Sequence, residues 1–113
     1  MKVFALSVIV SIALGGCSSA TPIAITNNAL APIEDVSISG SGFSQTIGSI
    51  APGRTSTTNV QPTADSGLVL SFRSGSRHIR TEPLGYFEGG GAYKVKVVVA
   101  RDLTVTVDGG LKY

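Results

Sequence analysis

The segment from Tyr93 to Val107 limits what this chain can fold into more than any other. Tyr93, Val95, Val97 and Val99 alternate with Lys94, Lys96 and Val98, and Leu103, Val105 and Val107 then repeat the pattern. A period of two puts these apolar side chains on one face of a strand, whereas a helix would scatter them around its axis. The two runs therefore predict a hairpin, and the need to keep both apolar faces together sets its register. A three-residue loop of Ala100-Arg101-Asp102 pairs Val97 with Val105 and Lys96 with Thr106. A two-residue loop would pair Lys96 with Val107 and mix the faces.

The rest of the chain after residue 20 carries the same signature, and no window holds a sustained 3.6-residue apolar stripe. Thr21 to Asn27 places Ile23 and Ile25 on one face, and Ile33 to Ser39 does the same with Val36 and Ile38. Gly40-Ser41-Gly42 marks a turn before Phe43 to Ser49, where Phe43 and Ile47 are the apolar positions. Pro52-Gly53 fits a type II turn, with Pro at its second position and Gly supplying positive φ at its third. Arg54 to Val60 is Thr-rich and weakly patterned, which suits an edge strand. A second hairpin is expected where Leu68, Leu70 and Phe72 point inward. A two-residue Gly75-Ser76 turn of type II′ then sets Phe72 opposite Ile79.

Seven or eight short strands with turns every eight to twelve residues predict an all-β, antiparallel sandwich or barrel. At 113 residues the chain has room for one such domain. The run from Thr26 to Thr58, TNNALAPIEDVSISGSG…IGSIAPGRTSTT, resembles the first half of bacterial immunoglobulin-like adhesion and cell-surface modules. It shares their Asn-containing bend, strand, variable turn and aliphatic-x-Pro-Gly corner. The resemblance implies a small immunoglobulin-like β-sandwich over residues 22–113. The cysteine pair and buried Trp of antibody-type domains are absent from the sequence.

The N-terminus has a different character. Met1-Lys2 is a positive head, and Val3 to Leu14 is an apolar run broken only by Ser7 and Ser11. As a helix those twelve residues would rise about 18 Å, short of a hydrocarbon core about 30 Å thick. A cleaved secretory signal over residues 1–16 is the better reading. Leu14-Gly15-Gly16-Cys17 resembles the lipobox of bacterial lipoproteins, an aliphatic and two small residues before a cysteine. That resemblance implies a diacylglyceryl group on the Cys17 thiol, cleavage before it, and acylation of the new amino group. The plainer alternative is an ordinary signal peptide with an incidental cysteine. If the lipobox is genuine, residues 17–21 are an acylated tether, and the same resemblance, in which an aspartate after the cysteine favours inner-membrane retention, implies from Ser18 the outer membrane.

Composition narrows the remaining chemistry. Nine Lys and Arg against seven Asp and Glu leave no basic excess for nucleic acid. One Cys and one His cannot make a structural zinc site, and neither a metal nor a cofactor is expected. Branched aliphatics are too many and charges too few for a disordered chain. His78 falls on an outward strand face, where it needs an orienting carboxylate and a nucleophile to act as a base. Glu82 lies about 13 Å further along an extended strand. Of the seven carboxylates only Glu34 and Asp35 are adjacent, and neighbours on a strand point to opposite faces.

Two stretches suit contact with a partner. Gly85 to Tyr93 reads first as a long, flexible, glycine-rich hairpin loop with Tyr86 or Phe87 tucked onto the sandwich edge. The alternative is an aromatic contact patch on a mobile loop, for which Tyr and Phe are suitable anchors. Arg73, His78 and Arg80 share an outward patch, extended by Lys94 and Lys96, which could meet an anionic polymer or an acidic protein. The same charges would also serve to protect a strand edge. The expectation is a lipid-anchored, non-catalytic envelope module that binds or scaffolds another protein. The alternatives are a small inhibitor or blocker of an envelope enzyme or receptor, and less readily a hydrolase of envelope polymers.

Overall fold

A computed structural model describes residues 20–111. The expected leader, residues 1–16, and Cys17 of the lipobox lie outside the described residues. Nine strands run in chain order: β1 (Thr21–Asn27), β2 (Ile33–Gly40), β3 (Phe43–Ile50), β4 (Thr55–Val60), β5 (Ser66–Ser74), β6 (Arg77–Arg80), β7 (Leu84–Phe87), β8 (Tyr93–Val99) and β9 (Val105–Leu111). Among the described residues there is no helix. The strands form a sandwich-like pair of sheets, one of four strands in the order β4-β1-β8-β9 and one of five in which β3-β2-β5-β6 is joined by β7 pairing with β5.

The strand alternation places the core between the sheets. Ile23, Ile25, Val95, Val97 and Val99 come from the four-stranded sheet, and Val36, Ile38, Leu68, Leu70 and Phe72 face them from the other; all are buried. Each such side chain contributes about 1.5–3 kcal/mol by leaving water. The turns follow their residues. Arg54 N–H donates to Ala51 O at 3.1 Å across Pro52-Gly53, with Gly53 at φ 76°. Gly75, at φ 59°, closes the β5–β6 hairpin in the expected register, Phe72 opposite Ile79. Pro22 has no N–H to donate, and it precedes the first β1–β8 pair, Ile23 with Val95.

Three expectations need correction. The sheets are not wholly antiparallel, because β1 pairs β8 in parallel; side-chain alternation is the same for either direction. The described residues hold nine strands rather than seven or eight, since the segment read as a glycine-rich loop opens with β7. The β8–β9 register is shifted by two residues: Val97 faces Val107 and Val99 faces Val105. The connection is Ala100 to Thr104, closed by Ala100 N–H to Thr104 O at 2.8 Å and Leu103 N–H to Ala100 O at 2.9 Å. Thr21, where the expected tether and the expected first strand overlap, is in β1 and fully buried.

Asn27 makes the bend between β1 and β2. Its side-chain amide is buried, donating to Ile50 O at 2.9 Å and Ala31 O at 3.0 Å while accepting from Ala29 N–H at 2.9 Å. One residue thus ties the end of β1, the loop after it and the end of β3.

Candidate binding cleft and the aromatic and basic patches

The Pro52-Gly53 turn carries the chain from β3, an edge of one sheet, to β4, an edge of the other. Between these edges lies an open cleft of about 620 Å³. It is lined by Phe43, Ser44, Gln45, Asn59, Gln61 and Thr63, with Ala20, Gly42 and Val60 completing its surface. No charged side chain lines it. Ser44, Gln45, Asn59, Gln61 and Thr63 are exposed, and Phe43 is half-buried. Gln45 Nε2 spans the edges to Thr58 Oγ1 at 3.3 Å. Amides and hydroxyls both donate and accept, so the lining suits an uncharged hydrogen-bonding ligand.

The backbone adds to this. Asn27 N–H donates to Arg54 O at 3.0 Å where β4 begins. In an antiparallel ladder that assigns the groups of alternate residues, Ser56, Thr58 and Val60, to β1. The N–H and C=O groups of Thr55, Thr57 and Asn59 therefore point away from the sheet. β3 and β4 contain neither charge nor proline, whereas the β6 edge carries Arg77, His78 and Arg80. Charge and proline are the usual protections of an open edge, and this pair of edges has neither. Sequence reading identified β4 as an edge but missed the cleft, because no local pattern shows which edges meet.

The residues singled out in the sequence have different fates. Phe87 is fully buried, with its ring centroid 6.2 Å from that of Phe43, so it belongs to the core and is closed to a partner. Tyr86 is 50% exposed and its hydroxyl donates to Glu88 at 2.7 Å. That bond to a carboxylate favours the neutral phenol and raises its pKa well above the usual tyrosine value. Tyr93 lies edge-on to Tyr86, with ring centroids 6.4 Å apart.

Arg73 and His78 are paired across β5 and β6, and Arg80 lies opposite Ser71. His78 and Arg80 are exposed. Arg73 is held by two carboxylates, Nη2 to Glu34 at 2.6 Å and Nε to Asp35 at 3.1 Å. These partners, Asp35 first, raise its pKa above the ordinary arginine value. Asp35 reaches Arg73 because its φ of 52° belongs to a bulge in β2, so the two adjacent carboxylates share one partner instead of facing apart. Lys94 and Lys96 lie on β8, in the other sheet, and do not extend this patch. Among the described residues no three His, Cys, Asp or Glu side chains come together as a metal site would require.

No protein-family model and no curated protein sequence matches the chain. A solved structure similar to it is described as the NMR structure of a protein from Eubacterium rectale. That similarity covers 84% of this chain and 90% of the other, at 11% identity and a TM-score of 0.45.

Proposed function

We propose that this chain is a lipid-anchored lipoprotein of the bacterial envelope, held through Cys17 and most readily at the outer membrane. Its immunoglobulin-like domain is a non-catalytic module that binds another protein. The observation that carries this reading is the pair of edges, β3 and β4, that carry neither charge nor proline and flank a charge-free cleft. An extended polypeptide laid along β4 would meet the outward N–H and C=O groups of Thr55, Thr57 and Asn59, adding a strand to the sheet. Gln45, Asn59 and Gln61 would meet its peptide groups from the cleft. Arg73 is less suited to an anionic partner, because Glu34 and Asp35 already neutralise it.

The test places a photo-crosslinking residue at Thr57 and, separately, at His78 in the acylated protein within its own membranes. A polypeptide adduct is expected from position 57 and none from 78. Adding Thr57→Lys to a crosslinker at Asn59 should abolish the adduct while leaving thermal unfolding unchanged, because residue 57 is exposed and only its outward backbone is blocked. Adducts from position 78 alone would move the interface to β6 and overturn the edge reading.

A further inference from the structure

We infer that the end of the domain at which the chain enters β1 rests on the membrane surface, with Tyr86, Tyr93 and Leu111 at the lipid headgroups. This rests on the proposed anchoring through Cys17. Parallel pairing sets the start of β8 beside the start of β1, since Ile23 faces Val95. Tyr93 lies opposite Leu111 at the end of β9, and Tyr86 meets Tyr93 ring edge to ring face. One end of the molecule therefore gathers Ala20, Tyr86, Tyr93 and Leu111. Tyr86 is 50% exposed and Leu111 58%. A third exposed large apolar side chain, Leu30, follows β1 at the opposite end.

The length of chain between the lipid and the domain selects the occupant of this patch. From Cys17 to Ala20 the backbone can span at most about 11 Å. The headgroup layer of one leaflet is itself roughly 5–8 Å deep. An anchor that short keeps the entry end within reach of the headgroups. Tyrosines combine an apolar ring with a polar tip and favour that layer. Glu88, hydrogen-bonded to Tyr86, and the nearby Asp65 are accompanied by the exposed Lys94 beside Tyr93, so charges of both signs suit this end to zwitterionic lipid. Leu30 lies about 20 Å further out, the length of the seven-residue β1.

The chain has no Trp, so single substitutions report position without background. Acylated protein carrying Tyr86→Trp, Leu111→Trp or Leu30→Trp is reconstituted into phosphatidylcholine and phosphatidylethanolamine vesicles containing brominated phosphatidylcholine. Quenching at positions 86 and 111 is expected to exceed that at 30 by roughly twofold or more, given the interfacial preference of aromatics. Using both positions protects the test against one variant that misfolds. Equal quenching at all three positions, or none at 86 and 111 in protein that floats with the vesicles, overturns the orientation. Protein without acyl chains by mass, and absent from the floated vesicles, overturns the anchoring itself.

Discussion

Asn27 makes three hydrogen bonds from one buried amide, and the chemistry of the bend depends on their direction. Two are donated by Nδ2 and one is accepted by Oδ1. Asn27→Ala leaves Ile50 O, Ala31 O and Ala29 N–H without it and should cost about 3–5 kcal/mol in denaturant unfolding. Asn27→Asp keeps the acceptor but turns a carboxylate oxygen toward two carbonyls, so at neutral pH it should be no better than Ala. If Asp proved harmless, the amide would not be what fixes the bend. The Asn was visible in the sequence as part of a bend; its reach to Ile50 was not, because that contact crosses 23 residues. Tyr86 supplies a second test. Because folding raises its pKa, its contribution is present below the ordinary phenol value, about 10, and is lost as pH rises beyond it. In an alkaline spectrophotometric titration, Glu88→Gln should move one of the three tyrosines to lower pH. An unchanged titration would mean that the bond to Glu88 does not hold in solution.

At the level of strands, alternation read which faces are buried but not which strands are neighbours. The β8–β9 register shows why. A two-residue shift leaves every side chain on its own face, so the hydrophobic pattern is blind to it. The choice is made in the loop, where Asp102 Oδ1 accepts from Thr104 N–H at 3.1 Å and Thr104 Oγ1 at 2.7 Å while Leu103 adopts φ 72°. β7 was hidden for a different reason. It has four residues and contains Gly85 at φ 73°, which masks any alternation. Its place is set by close backbone approach: a side chain at Gly109 would meet the backbone oxygen of Tyr86. Gly109→Val should therefore force β9 off β7 and destabilise the fold by about 1–3 kcal/mol. Gly110→Val, with open space around it, should have a much smaller effect under the same denaturant titration.

For the molecule as a whole, the two sheets differ in how much chain they need before they can form. The β2–β3 and β5–β6 pairs are hairpins, and β2 joins β5 within the same central segment. The other sheet depends on β1, whose neighbours are β4 and β8, the latter roughly 70 residues away along the chain. Closing so long a loop costs entropy before any contact offsets it. The sheet containing β2 and β5 should accordingly be the more ordered in the folding transition state, with β1 and β8 docking late. In refolding kinetics, Leu70→Ala should slow folding, giving a φ-value well above that of Val97→Ala, which should mainly speed unfolding. Both side chains are fully buried, so both substitutions destabilise enough for the ratio to be read. The reverse order would require β8 to be structured early, through its local hairpin with β9 or by meeting β1 despite their separation. It would place the folding nucleus in the sheet nearest the proposed tether, where β1 begins.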